Sequence, residues 1–384
     1  MEAAGSLHVF GLSGNLLATA PDKILQAISA DFAAGLKTHL QLKTGIPSVR
    51  QRLFWGEAEV CLPTCPWDDS ALPVNLQMVI MPLRQDKIGE LHAAVALGKL
   101  ENVQQLLSEG QDPNLPGKEG VTPLLIAADR RRLQIAAALT EASANPNIPG
   151  EAEGGGATPL IAAAAHGDTR MVQHLLHARA SPDLSGSDGK SPLLTATLHG
   201  HLAVVECLVG ALCDIDRPVV GQACTNPLFS AAESNHSRIV AALLRARADI
   251  DWQNMEGKTP LWCAVANGSL QSARCLIRAG ASTNCPDQHG DAPLWVAAAC
   301  GQSEAVDCLI AARADVNQAA GNGQSPLCMA ALRCDLPVLR SLMRAGADQR
   351  PDRQGRTPAE VTLSPEVKKE LHGQRHRCRQ TFRQ

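Results

Sequence analysis

Residues 257–284 read GKTPLWCAVANGSLQSARCLIRAGASTN, and residues 290–317 read GDAPLWVAAACGQSEAVDCLIAARADVN. The two stretches align without a gap at a spacing of 33 residues, and related copies continue in both directions. The prolines that open the copies are 36, 33, 35, 33, 33, 33 and 32 residues apart. They are Pro123, Pro159, Pro192, Pro227, Pro260, Pro293, Pro326 and Pro358. A period of this length is typical of a chain built from stacked structural repeats.

Each copy carries the signals of two short helices. Ser, Thr or Asn precedes the proline in most copies, which predicts an N-cap with proline at the first helical position. Nine residues after the cap, a left-handed glycine is expected to end the first helix. That glycine is Gly98, Gly167, Gly200, Gly268 or Gly301. An apolar pair such as Leu276-Ile277 marks the second helix, and a polar turn follows. One unit cannot bury its own apolar face, so neighbouring units must stack.

The units resemble ankyrin repeats, whose pattern is a T-P-L-H-x-A-A opening, a glycine, a V-V-x-L-L second helix and a G-A-D-V-N turn. The resemblance covers about residues 88–372 and implies a mainly α solenoid of about nine helix-turn-helix units. It also implies a concave face, made by hairpin tips and first helices, that holds a partner protein. The first copy lacks the T-P-L opening and the last is truncated, as terminal caps should be.

Departures from the family pattern predict where the array is weakest. The family's histidine survives only at His92, so we expect apolar packing to replace its polar link elsewhere. Ala292 cannot cap its helix with a side chain, which costs about 1 kcal/mol. Several turns place another residue where the pattern has glycine, at about 1–2 kcal/mol each. These residues are Arg131, Arg179, Leu212, Arg247, Arg313 and Cys334. We therefore expect the middle of the array to be less stable than a consensus array.

Residues 1–84 do not share the period. Apolar runs at 7–10, 16–20, 51–56 and 76–80 predict strands, and residues 24–42 have the apolar spacing of a helix. The order and the local sequence resemble a ubiquitin-like domain, a small α+β β-grasp fold. The resemblance places Leu12, Phe54 and Val79 at an apolar recognition patch; alternatively, Phe54 and Val79 are core residues. No Gly-Gly follows Leu83-Arg84, so conjugation to other proteins is not expected.

Composition and motifs favour a binding protein over an enzyme. The net charge is −3, which does not favour nucleic acid or an anionic membrane as the partner. The thirteen cysteines of a chain this long favour a reducing cytoplasm or nucleus, with most thiols buried. No catalytic, metal-binding or cofactor-binding motif meets its spacing requirements, so we expect no cofactor and no small-molecule substrate. Residues 373–384 are expected to be a basic disordered tail.

The repeat register identifies candidate partner-binding residues on the first helices and the hairpin tips. Trp252 is the foremost candidate, because an exposed tryptophan is often an interface anchor; alternatively, it packs on the neighbouring hairpin. The other candidates are Met255, His289, Asp291, Asp129, Arg130, His166, Leu198, His199, Glu233, Asn267, Val296, Met329, Leu332 and Arg333. The leading hypothesis is a scaffold that binds another protein. The alternatives are an adaptor that binds ubiquitin-pathway components and, last, an enzyme with an unrecognised site.

Overall fold

The structure is a computed structural model that describes five short strands between residues 7 and 80 and the ranges 88–117, 120–150, 156–219 and 225–372. It divides into two compact units, Met1–Asp188 and Gly189–Gln384, and each is described by itself. Within the described residues, no helix is both long enough and apolar enough to cross a lipid bilayer. The predicted helix at 24–42, the turn at Leu12 and the tail 373–384 lie outside the described residues.

The first unit opens with a five-stranded mixed sheet. Its strands are β1 (Leu7–Phe10), β2 (Leu16–Ala20), β3 (Gln51–Trp55), β4 (Ala58–Glu59) and β5 (Asn75–Ile80), in the spatial order β2-β1-β5-β3-β4. The β1 strand pairs antiparallel with β2 and parallel with β5, and β5 pairs antiparallel with β3. Strands β1, β2, β3 and β5 coincide with the four predicted apolar runs. The short strand β4 was not predicted.

The other described residues of the first unit form three helix pairs. The pairs are α1 (Ile88–Leu97) and α2 (Leu100–Ser108), α3 (Pro123–Asp129) and α4 (Leu133–Glu141), and α5 (Pro159–Ala165) and α6 (Thr169–His177). First helices pack on first helices and second helices on second helices, so each pair buries the apolar face of its neighbour. This arrangement is the stacking that the period predicts.

The second unit repeats the same arrangement. Its helices are α7 (Pro192–Leu198), α8 (Leu202–Gly210), α9 (Pro227–Glu233), α10 (Ser237–Arg245), α11 (Pro260–Ala266), α12 (Leu270–Arg278), α13 (Pro293–Cys300), α14 (Ser303–Ala311), α15 (Pro326–Leu332), α16 (Leu336–Arg344) and α17 (Pro358–Val361). A last helix, α18, spans 365–372. Val367 and Leu371 of α18 are fully buried, so this helix covers the apolar face of the preceding repeat.

The first helices begin where the caps predict. The hydroxyl of Thr259 accepts a hydrogen bond from the amide of Trp262 at 3.1 Å, and the Asn226 side chain accepts one from Phe229 at 2.8 Å. Thr122, Thr158, Ser191 and Ser325 cap their helices in the same way. Ala292 makes no side-chain cap, as expected.

The turns have the predicted left-handed conformation. Gly98, Gly167, Gly200, Gly268 and Gly301 all have positive φ. The non-glycine residues named above share it, with φ between 56° at Arg131 and 68° at Arg247. Ser143 adopts it as well, at φ 67°, which the sequence interpretation missed. Side chains larger than glycine are therefore held in an unfavourable backbone region at these turns.

Loop side chains tie each repeat to the next. In the second unit, the side chain of Asn284 accepts a hydrogen bond from the amide of Asp315 at 2.8 Å, and Asn317 accepts one from Asp348 at 2.7 Å. In the first unit, Asn147 accepts from Ser181 at 2.7 Å in the same way. These hydrogen bonds join adjacent loops, so the loops stack at the same spacing as the helices.

Candidate partner-binding surface

Hairpin tips of the second unit contact each other through their backbones. The amide of Gln288 donates to the carbonyl of Glu256 at 2.9 Å, and the amide of Gly321 donates to the carbonyl of His289 at 2.9 Å. A Cβ atom at Gly321 would lie 2.2 Å from the His289 oxygen, so only glycine allows this approach. Three successive tips are therefore joined in one row.

Two of these three tips are also held from within by one side chain. The buried Asp287 accepts hydrogen bonds from the amides of His289 and Asp291, both at 2.9 Å. Asn254 makes the same pair of bonds in the preceding tip. Burial raises the pKa of Asp291, and the nearby Asp287 carboxylate raises it further. The backbone donors of the tip are satisfied before any partner arrives.

Trp252 and Met255 differ in exposure. Trp252 is half-buried, and its ring meets Phe229 edge to face, with centroids 6.1 Å apart and an interplanar angle of 75°. Part of the Trp252 side chain is therefore packed against its neighbours, as in the alternative interpretation, and part remains exposed. Met255 is 68% exposed, and the amide nitrogen Nε2 of Gln288 donates to its carbonyl at 2.5 Å. Met255 is an exposed apolar side chain on a fixed backbone.

A tryptophan takes over the link for which the family uses histidine. The indole nitrogen of Trp262 donates to the carbonyl of Asp291 at 2.9 Å, and the ammonium of Lys258 lies 4.5 Å from the centre of its ring. In the first unit, Nε2 of His92 bonds to the carbonyl of Val121 at 3.0 Å, over the same separation of 29 residues. The expectation that only apolar packing replaces the histidine is therefore wrong at Trp262, because indole retains an N–H donor.

Most candidates on the first helices of the second unit are exposed at the helix end. Leu198 is 38% exposed and Leu332 is 49% exposed. His199, Glu233, Asn267, His289 and Arg333 are exposed, and Met329 and Asp291 are half-buried. Val296 is a correction, because it is only 5% exposed and belongs to the core. It lies one helical turn before the exposed end, where the neighbouring helices cover it.

Three candidates lie together in the first unit. Nε2 of His166 is 3.1 Å from a carboxylate oxygen of Asp129, and Nε of Arg130 is 3.6 Å from the other oxygen. All three residues are exposed, so these contacts are screened by solvent. Of the ubiquitin-like patch, Leu12 lies outside the described residues, and Phe54 and Val79 are described as strand positions in β3 and β5.

The cysteines have the character of packing residues. Of the nine described cysteines, only Cys213, Cys263 and Cys328 are buried, so the prediction that most are buried is wrong for this part of the chain. Burial raises the pKa of the Cys263 thiol to about 12 and raises that of Cys207. Such thiols are protonated at neutral pH and are poor nucleophiles. Within the described ranges, no three metal-ligating side chains come together.

Comparison with known proteins agrees with this geometry. A family model described as ankyrin repeats matches at residues 91–185, 148–219 and 228–320, more than half of the chain. Human ankyrin repeat and SOCS box protein 16 is 32% identical over 184 residues, which are 46% of this chain and 40% of that protein. Notch homolog protein 1 of Xenopus tropicalis is 34% identical over 152 residues, 39% of this chain and 6% of that protein. This chain thus spans less than half the length of either relative.

Among solved structures, the ankyrin repeat domain of Bcl-3 superposes with a TM-score of 0.53 at 28% identity. The match covers 57% of this chain and 99% of that domain. Together with the family model, the helix pairs and their left-handed turns lead to one conclusion. The chain belongs to the ankyrin-repeat family.

Proposed function

We propose that the chain is a non-catalytic scaffold that binds another protein on the hairpin tips and first-helix ends of its second unit. The carrying observation is Met255, which is 68% exposed on a tip whose backbone is held by the Asn254 side chain and by the Gln288 side chain of the following tip. Because this backbone is already ordered, covering Met255 costs side-chain entropy but little backbone entropy, and this favours binding.

The composition of the surface supports a protein partner. Leu198, Met255 and Leu332 provide apolar area, and His199, Glu233, Asn267, His289 and Arg333 provide polar groups around it. Trp252, three residues before Met255 in the sequence, is half-buried and is a candidate anchor. A mixture of apolar contacts and a polar rim is typical of protein interfaces rather than of small-molecule sites.

Affinity capture with the full chain tests the proposal. Met255→Asp should abolish the capture of specific partners, because it places a charge where an apolar contact forms. Leu363→Asp is the matched control: Leu363 is 92% exposed in the connection that follows α17, outside the proposed surface. Partners that remain bound to a variant combining Met255→Asp with Leu332→Asp, at unchanged thermal stability, would show that this surface is not the one used.

An adaptor in ubiquitin-dependent turnover is the second candidate. The mixed sheet, with its first and last strands adjacent and parallel, supports assigning a ubiquitin-like β-grasp fold to the N-terminal region. In the register, Val79 pairs with Arg52 and Phe54 pairs with Gln77, so Phe54 and Val79 are diagonal neighbours. The printed name of an Arabidopsis thaliana relative, 32% identical over 136 residues, is putative E3 ubiquitin-protein ligase XBAT35.

The two candidates predict different responses to one substitution. In the adaptor, Phe54→Ala in the full chain abolishes capture of ubiquitin-pathway proteins and leaves partners that depend on Met255 bound. In the plain scaffold, Phe54→Ala changes nothing that is captured. The Met255→Asp variant serves as the control in this experiment, because it should have the opposite pattern.

A further inference from the structure

The first unit carries an unusual concentration of positive charge on two successive turns. Arg130, Arg131 and Arg132, here called the arginine turn, connect α3 to α4. All three residues are exposed, and the side chains of Arg130 and Arg131 are 64% and 60% accessible. Lys99, which occupies the register position of Arg132 in the preceding repeat, is exposed as well.

Two of these arginines have carboxylate neighbours inside the unit. Nε of Arg130 is 3.6 Å from Asp129, and Nε of Arg131 is 3.5 Å from Asp168. Asp168 is also engaged elsewhere, because its other carboxylate oxygen accepts the amide of Met171 at 3.1 Å and caps α6. Both ion pairs therefore leave most guanidinium donors available, since a guanidinium has five N–H groups.

Arg132 makes no ion pair with any described residue. Its guanidinium carbon lies 2.8 Å from where a Cβ of Gly98 would be, so the group rests on the backbone beside Lys99. Lys99, the residue after Gly98, also forms no ion pair with a described residue. Cations without an ion-pair partner create a positive local potential, and this potential attracts an anionic group.

Arg131 in the arginine turn has a left-handed backbone conformation, which is unfavourable for residues other than glycine. Arg131 has φ 56° at the register position that is glycine at Gly98 and Gly167 in the same unit. Glycine would relieve this strain.

We propose that the arginine turn and Lys99 bind an acidic segment, rich in Asp and Glu, of a partner protein. Guanidinium groups form two parallel hydrogen bonds with a carboxylate, and such bonds are stronger than neutral ones. The inference goes beyond the proposed function, because it adds a binding site in the first unit and gives the chemistry of the segment that would occupy it.

An acidic polypeptide fits this patch better than a nucleic acid does. Asp129 and Asp168 lie among the cations, so the basic patch is short and is interrupted by carboxylates. A nucleic acid requires many phosphate contacts along a basic stripe, and carboxylates within the stripe would repel it. A short acidic segment can avoid both carboxylates.

Fluorescence anisotropy with the full chain tests the inference. The probe is a labelled peptide of alternating glutamate and glycine, about twelve residues long so that it can span both turns. Its control has glutamine in place of each glutamate. We expect the glutamate peptide to bind, and to bind more weakly at about 200 mM salt than at about 50 mM.

The variants separate binding from folding. Arg132→Gln and Arg131→Gly should each weaken binding about threefold, and both together with Arg130→Gln at least about tenfold. Arg131→Gly should not harm folding, because it restores the glycine that other turns have. Arg313→Gly is the matched control: Arg313 has φ 62° in the second unit, so the variant relieves similar strain and should leave peptide binding unchanged.

Each outcome decides the inference. Equal binding of the two peptides, or glutamate-peptide binding that the arginine variants leave unchanged, overturns it. Duplex DNA that binds with the expected arginine dependence while the peptide does not bind also overturns it. If partners are captured in a Met255-dependent manner but the peptide fails to bind, the proposed function stands without this inference. Arginine-dependent peptide binding supports it, whatever the capture experiment finds.

Discussion

The contact between hairpin tips makes Gly321 the most informative position for a stability test. An alanine Cβ there would lie 2.2 Å from the carbonyl oxygen of His289. That atom belongs to the backbone, so the two tips must separate. Separation removes the hydrogen bond that now joins the Gly321 amide to this oxygen at 2.9 Å. We therefore expect Gly321→Ala to loosen the row of tips.

The magnitude follows from three contributions. Forcing a methyl group into a filled space costs about 1–3 kcal/mol, and the lost hydrogen bond about 0.5–1.5 kcal/mol. Alanine restricts the unfolded chain and offsets about 0.4–1 kcal/mol of this loss. The free energy of unfolding should fall by about 2 kcal/mol, within limits of about 0.5–4 kcal/mol. Positive φ contributes nothing, because Gly321 does not have it.

Urea denaturation followed by circular dichroism measures this change, with amide hydrogen exchange as a local readout. Gly210→Ala is the matched control, since Gly210 ends α8 and a Cβ there meets no atom within 4 Å. That variant should gain about 0.5–1 kcal/mol from helix propensity. If Gly321→Ala unfolds at the wild-type urea concentration while Gly210→Ala is stabilised, the tip contact contributes nothing and the rigidity argument for this surface fails.

Three further predictions concern caps, pH and the turns. Ala292→Ser should raise the free energy of unfolding by about 1 kcal/mol in the same urea assay, because a hydroxyl there can accept the Trp295 amide as other caps do; no rise would argue against a missing cap. The amide and guanidinium of Arg356 hold the pKa of Asp352 below its ordinary value. The ionised Asp352 therefore stabilises the fold fully above its ordinary pKa, and this stabilisation is lost as the pH falls through the lowered pKa of the folded state. The stability difference between wild type and Asp352→Asn should therefore shrink below about pH 4, whereas a constant difference would contradict the shift. Amides in the middle repeats, whose turns carry Arg179, Leu212 and Arg247, should exchange faster than those of the terminal repeats; the opposite order would refute the strain argument.

The repeat period predicts the helices but not which of their faces are covered. Val296 and Met329 share one register position, yet Val296 is buried and Met329 is half-buried. The same helix face is exposed one turn later, at Asn267 and Arg333. Periodicity assigns a residue to a face, whereas exposure also depends on side-chain length and on how far the next repeat extends. Sequence alone does not determine that distance.

The missed contacts have a similar cause. Trp262 looks like an apolar substitution for histidine, but its N–H reaches the same carbonyl 29 residues ahead. The signal was present, because both residue types carry a ring N–H at one register position. No comparable signal in the sequence indicated that the guanidinium of Arg132 has no ion-pair partner among the described residues. Three consecutive arginines usually mark a solvated turn, and the missing counter-ion becomes visible only when the packing against Gly98 is known.

A few buried or half-buried side chains hold the backbone of the hairpin tips, and this leaves the other tip residues free to vary. Asn254, Asp287 and Asp352 each use one carboxamide or carboxylate oxygen to accept two amides of their own hairpin, so these three tips share the same backbone hydrogen bonds whatever their other residues are. The remaining tip positions can then change without disturbing the fold. Partner choice can therefore reside in residues such as Met255 and His289, whose presentation depends on the loop backbone and not on their own packing. For this reason, substitutions at these two positions should alter binding at unchanged stability, whereas substitution at Asp287 should alter both.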